Sequence, residues 1–174
     1  MNTRNYWFTS DTHFGHANIL KYCPSRAKLW SSVEEMDQGI VERWNSVVKP
    51  GDIVYHLGDV FHGGATQEYK AGVMGQLRGS KRLLLGNHDD YKDIARGGWF
   101  KKISLWRIWN DAPLLFTHVP VHPESISERL VVNNGMNIHG HTHENGSPEG
   151  RYASVCVEMT NFTPVNLDEI KGWL

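Results

Sequence analysis

Five apolar stretches of this chain end in residues that can bind metal ions or move protons: Asp11-x-His13, Gly58-Asp59, Gly86-Asn87-His88-Asp89, Thr117-His118 and Gly140-His141-x-His143. Taken singly each is weak, because short pairs of this kind arise by chance and a strand-end histidine is more often a hydrogen-bonded structural residue. Taken together they are specific. Asp11, His13, Asp59, Asn87, His118, His141 and His143 supply enough oxygen and nitrogen donors for two metal ions sharing one bridging carboxylate. Imidazole, amide and carboxylate donors without thiolate leave Mn²⁺, Fe, Zn²⁺ and Ni²⁺ all open, and Mn²⁺ is the expected ion. In "NIHGHTHENG" the spacing of His139, His141 and His143 would put all three on one face of an extended strand. Gly140 is read as the end of that strand, which leaves His139 as a bystander on the segment that delivers the other two.

The elements that must position these residues follow from the hydrophobic pattern. "YWFTSD" (6–11), "DIVYHLGD" (52–59), "KRLLLGNHD" (81–89), "PLLFTH" (113–118) and "MNIHGHTH" (136–143) read as strands that stop at polar clusters. Residues 32–48 carry apolar side chains at Val33, Met36, Ile40, Val41, Trp44 and Val47/Val48, a helical period, with Ser32 as N-cap and Glu35 completing a capping box. Residues 66–77 form a weaker helix interrupted by Gly72 and Gly75, and 16–23 a short one. Residues 100–109 and 151–159 read as two further, antiparallel strands. Strands alternating with helices give an α/β class, in which ligands collect beyond the carboxyl ends of the strands.

The five clusters, in this order, resemble the motif set of the calcineurin-like metallophosphoesterase superfamily: "DTH", "GD", "GNHD", "TH" and "GHTH". "FTSDTHFGHANIL" and "VYHLGDV" look more particularly like its small, cap-less bacterial and phage phosphoesterases. The resemblance implies a four-layer αββα sandwich, mixed sheets flanked by helices, in one metallophosphoesterase domain spanning 1–174. It implies Asp11, His13, Asp59 and His143 on one metal, and Asp59, Asn87, His118 and His141 on the other. Two divalent cations against two carboxylates leave positive charge for a hydroxide and a phosphate oxyanion. The implied reaction is phosphoester hydrolysis by a metal-bridging hydroxide. His88 would protonate the leaving oxygen, with helix capping as the plainer role. Asp89 reads as an N-cap or first-turn carboxylate. His62 is similar to a histidine near the leaving group in the repair-nuclease branch of the superfamily, and is a second catalytic candidate.

His16, Arg26, His122 and Arg129 are candidate substrate contacts, each set against a plain packing or solvated role. His56, on an apolar strand, reads as a satisfied core histidine. Trp7, Trp44 and Trp106 fall in core patterns, leaving Trp30 and Trp99 as substrate platforms. The 174-residue chain leaves little sequence for a cap, so an open site and a phosphodiesterase acting on nucleotide-like or small substrates are expected. A phosphomonoesterase is the alternative. A cupin-like metal-binding module fits only the histidine pair, since Glu149 falls one position too late. A net charge of −1 gives no footprint for polymeric nucleic acid. Cys23 and Cys156 lie in no C-x-x-C pair, no run approaches a membrane span, and a cytoplasmic location is expected.

Overall fold

The computed structural model describes residues 4–62, 64–126, 130 and 132–174. Chain order runs β1 (Tyr6–Thr9), α1 (Ile19–Tyr22), α2 (Pro24–Ala27), α3 (Val33–Val47), β2 (Ile53–His56), α4 (Gln67–Gln76), β3 (Ser80–Leu84), α5 (Tyr91–Gly97), β4 (Lys102–Ser104), β5 (Trp106–Ile108), β6 (Leu114–Thr117), β7 (Met136–His139), β8 (Tyr152–Ser154) and β9 (Val165–Asn166), closed by a C-terminal helix at Leu167–Lys171. The first sheet has the order β4-β3-β2-β1-β9 and the second β5-β6-β7-β8. Both are mixed: β1 to β4 run parallel with β9 antiparallel, and β6 to β8 run parallel with β5 antiparallel.

Strand alternation sorts the side chains into two cores. Tyr6 and Phe8 of β1 with Ile53 and Tyr55 of β2 face the second sheet, while Trp7 and Val54 face the helices. Between the sheets Phe8 stacks on Phe116 with ring centres 4.2 Å apart, and Trp109 meets Phe8 edge-on at 5.8 Å. On the outer face of the first sheet lie Met36, Ile40, Val41 and Trp44 of α3, Val73 and Met74 of α4, and Ile94 of α5. The segment around Val121 flanks the second sheet. It is tied there by its N–H to Asn137 Oδ1 (3.0 Å) and by the Tyr152 hydroxyl to its carbonyl (2.8 Å).

Helix α3 begins as its sequence requires, Ser32 Oγ accepting the Glu35 N–H at 3.2 Å. The Glu35 carboxylate, however, turns to the N–H and hydroxyl of Ser31. Thr66 caps α4 in the same manner, its side chain accepting the Tyr69 N–H. Two expectations are corrected. Residues 100–109 break at Leu105 into β4 and β5, which join different sheets, and β4 and β8 are parallel to their neighbours; of these three only β5 is antiparallel. Pairing direction depends on partners far along the chain, which a local apolar run does not encode. Parallel β1, β2 and β3, and parallel β6 and β7, point their carboxyl ends the same way. The five polar clusters emerge from those ends.

Candidate metal centre

Beyond the strands the loops continue to pair. The Asp11 N–H reaches the Gly58 carbonyl (3.0 Å), His13 N–H that of Asp59 (3.1 Å), and Gly140 N–H that of His118 (2.8 Å). A Cβ at Gly58, where φ is +100°, would lie 2.6 Å from the Gly86 backbone and from His118 Nδ1. One at Gly140 would overlap the side chains of Ser10 and Asp11. These glycines therefore let five loops close on one point. Eight non-glycine residues among those described have positive φ, and five of them are Asp11, His13, Asp59, His141 and His143. Such backbone costs of order 1–3 kcal/mol per residue and persists where the surroundings dictate it, which is why it gathers at functional sites. It also breaks the two-residue alternation, so His139 departs from the histidines after it. His139 is buried and bonded through its ring to the Gly140 carbonyl (2.8 Å) and Ser147 Oγ (2.9 Å).

Three triads of donors come together among the described residues: Asp11–His13–His143, Asp59–His118–His141, and behind the first Cys23–His143–Glu158, with the donor atoms of each within 4.8 Å of one another. In the first two, each carboxylate uses one oxygen for support and presents the other. Asp11 Oδ2 accepts the His141 N–H (2.8 Å) and the Cys156 thiol (3.3 Å). Its Oδ1 has no hydrogen-bond partner and faces the Nε2 atoms of His13 (3.9 Å) and His143 (3.8 Å). Asp59 Oδ1 accepts the His88 N–H (2.9 Å), while Oδ2 stands between His13 Nε2 (3.7 Å) and His118 Nε2 (3.5 Å). Asp59 Oδ2 thus faces one histidine of each of these two groups. These gaps are too long for hydrogen bonds. They approach the separation, about 3.0–3.4 Å, between two ligands of one ion bound at about 2.1 Å.

The remaining electrostatics say the same. His13 is buried with neither ring nitrogen partnered, and burial pushes its pKa down to about 2, so it is a neutral imidazole without a hydrogen bond. His118 Nδ1 lies 2.7 Å from the Leu57 carbonyl and takes the proton there; that leaves unprotonated Nε2 facing two other acceptors, Asn87 Oδ1 at 2.9 Å and Asp59 Oδ2. Three acceptors converging in this way need either a proton or a cation. Against its burial, the facing Asp59 carboxylate and the Asp11 charge raise the His118 pKa, the proton standing in where a cation would sit. His143 is likewise raised to about 10, the Cys23 contact, Glu158 and Asp11 outweighing burial. The residues fit a pair of divalent cations.

Sequence reasoning missed the support behind the site. Glu158 Oε1 accepts from Arg26 Nε (2.7 Å) and from His143 Nδ1 (2.8 Å), with a second guanidinium nitrogen paired to it at 2.6 Å, so His143 is held with Nε2 toward Asp11. Arg26, expected as a substrate contact, is corrected: its side chain has no solvent exposure. Its guanidinium also donates to the carbonyls of Asp11 (2.5 Å) and Thr12 (2.9 Å), so it clamps the first loop from below. The signal for Glu158 was a lone acidic residue in the apolar "SVCVEM". Asp89 is no cap either. Its carboxylate accepts the N–H groups of Asp59 (2.9 Å), Val60 (3.0 Å) and Gly86 (2.9 Å), and Asp90 caps α5 instead.

His88 is exposed and stands beside the donors, its ring centre 5.6 Å from that of His13 and 4.8 Å from that of His62. His16 and His62 stack at 3.7 Å. With His13 and His143 these three line a cavity of about 480 Å³. His56 is buried, bonded to Thr12 Oγ1 (3.0 Å) and to the Gly58 N–H (3.2 Å), a satisfied core histidine. His122 caps a single 3-10 turn, its side chain 70% exposed. Arg129 lies outside the described residues. Trp30 packs on Phe162 and Trp99 on Phe61, which removes both as platforms, whereas Trp106, expected in the core, is 59% exposed on the edge strand β5.

The comparisons agree with this geometry. The model of the family described as calcineurin-like phosphoesterase matches residues 4–113. An uncharacterized protein of Methanocaldococcus jannaschii is 33% identical over 177 residues, covering 98% of this chain and 91% of its own. The Gene 66 protein of Mycobacterium phage L5 is 33% identical over 164 residues, covering 80% of this chain and 77% of its own. The crystal structure of a protein of unknown function from Aquifex aeolicus superposes with a TM-score of 0.76 at 28% identity, over 99% of this chain and 100% of that one. With the family's five motifs folded onto one cluster of donors, the chain belongs to the calcineurin-like phosphoesterase family of metal-dependent phosphoester hydrolases.

Proposed function

We propose that the protein is a binuclear phosphodiesterase acting on nucleotide-like or other small, accessible phosphodiesters. Asp11, His13, Asp59 and His143 would hold one ion and Asp59, Asn87, His118 and His141 the other, with Mn²⁺ foremost. The observation that carries this is the position of Asp59 Oδ2, between His13 Nε2 at 3.7 Å and His118 Nε2 at 3.5 Å. When bound, two such ions supply Lewis acidity toward the phosphoryl oxygens and a nucleophile from water at neutral pH.

The chain's own residues do the rest. Asn87, His88 and His141 are exposed, so an ester with two substituents reaches the donors without a lid having to open. His88, fixed by its backbone bond to Asp59, stands where it donates a proton to the departing oxygen. His62 and His16 lie beside His88 and contact the phosphoryl group or the leaving arm. No described helix is long and apolar enough to cross a membrane, and the two cysteines are buried free thiols; with these, a cytoplasmic location is part of the proposal. The test compares kcat/KM on bis-p-nitrophenyl phosphate and mono-p-nitrophenyl phosphate in Mn²⁺, then on cyclic and linear nucleotides. The diester is expected to be the faster; a dominant rate on the monoester would make the protein a phosphomonoesterase.

A further inference from the structure

A second cavity, about 670 Å³, shares no lining residue with the histidine-walled one: it meets the donors at Asn87 and His118, the other at His13 and His143. Most of its other walls are apolar, Leu105, Trp106, Ile108, Leu115, Val119 and Val121 among them. Leu105 is 69% exposed, Trp106 59% and Val119 43%, so a soluble face keeps three large apolar side chains side by side at the mouth of a functional site. Three of the polar groups of the lining are committed elsewhere, while Asn87, Tyr91 and Ser125 stand at its exposed rim. Thr117 Oγ1 donates to the Val119 carbonyl (2.6 Å), Asp89 takes three N–H groups, and His118 Nδ1 is bonded to Leu57. A nucleobase would bury its hydrogen-bonding edge here with few partners, whereas an aliphatic chain loses nothing.

We propose that this cavity is the subsite for one ester arm of the substrate, and that the arm is an aliphatic chain. The inference rests on the phosphodiesterase reading. The phosphoryl group sits at the donors, the apolar arm runs past Asn87 and His118 into the cavity, and the second arm leaves along His88 and His62. The two cavities meet the donors at different residues, one for each substituent of a diester.

The probes are p-nitrophenyl alkyl phosphates from methyl to octyl, with thymidine 5′-p-nitrophenyl phosphate as the nucleoside arm. kcat/KM is expected to rise about twofold per methylene, about a hundredfold from methyl to octyl, for a half-enclosed apolar wall. Leu105→Asp and Val119→Asp, both on exposed positions, are expected to cut the octyl-to-methyl ratio below ten. Binding is read without turnover by isothermal titration of octyl and methyl esters of methylphosphonic acid into the Mn²⁺-loaded protein, with the same preference expected. Equal rates and equal binding for methyl and octyl overturn the subsite while leaving the diester reading intact. Hydrolysis of monoesters alone overturns the diester reading, and the phosphonate titration still decides the subsite. A nucleoside arm that outperforms octyl shows that the cavity takes a base. Sedimentation showing a dimer that Leu105→Asp dissociates makes the face a contact between two copies, and overturns the proposal.

Discussion

Replacing Glu158 by Gln separates the two tasks this buried carboxylate performs. The side chains of Arg26 and Glu158 are wholly buried, and Glu158 Oε1 alone balances the guanidinium while it accepts the His143 Nδ1 proton. Breaking a buried ion pair from one side costs about 3–5 kcal/mol, because the remaining charge has lost its partner. In a domain of this size that lowers Tm by roughly 6–20 °C. The second effect is on metal. Losing a partner that orients a ligating imidazole weakens affinity about 10–100-fold, which removes about 1.4–2.7 kcal/mol of ligand-derived stability at saturation. The assay is a thermal melt of both proteins in EDTA and in Mn²⁺ well above Kd. The variant is expected to melt lower in EDTA, and its Mn²⁺-induced rise in Tm is expected to be smaller by roughly 3–11 °C. An unchanged Mn²⁺ increment beside a lowered EDTA melt would reduce Glu158 to a counter-ion for Arg26 and refute its part in aiming His143.

Three other outcomes follow from the same geometry. His88→Ala is expected to retain both ions by elemental analysis while losing about 10²–10⁴-fold in kcat, and full turnover in the variant would exclude it as the proton donor. His56 is held neutral, burial lowering its pKa to about 3 from 6.5, so the unfolded chain takes a proton that the folded chain refuses. Its contribution to stability is therefore present above pH 6.5 and is lost as pH falls from 6.5 toward 3, by at most about 1.4 kcal/mol per pH unit. Urea unfolding of metal-free protein at several pH values in this window should give a shallower slope for His56→Gln, and superimposable slopes would show that His56 is not the titrating group. Asp89→Ala leaves three loop N–H groups without an acceptor. Faster amide exchange at Asp59 and Val60 and weaker Mn²⁺ binding are expected; unchanged exchange would mean that water replaces the brace at no cost.

Much of this was legible in the chain because it is local. The α3 stripe from Met36 to Trp44, its Ser32 cap and the apolar runs of β1, β2 and β6 each fall within one element, where periodicity reports burial directly. The donors were legible for another reason: each pairs with a glycine or follows a strand end, and the order of motifs carries the resemblance. What escaped depends on distant meetings. Arg26 and Glu158 are 132 positions apart, and nothing beside either residue says that they share a buried site. Arginine is equally suited to clamp carbonyls or phosphate, and only its burial decides between them. The split at Leu105 and the direction of β4 and β8 are set by which sheet each short strand joins. Trp106 looked like core because an edge strand carries the same residues as an inner one.

The central claim is that one carboxylate, Asp59, joins two metal sites. Metal content measured after incubation with Mn²⁺ and gel filtration, on wild type and on Asp59→Asn, tests it most directly. Two ions per chain are expected for the wild type, with loss of metal and of phosphodiester hydrolysis together in the variant. A wild-type chain that holds a single ion, or a variant that keeps two, would contradict the account.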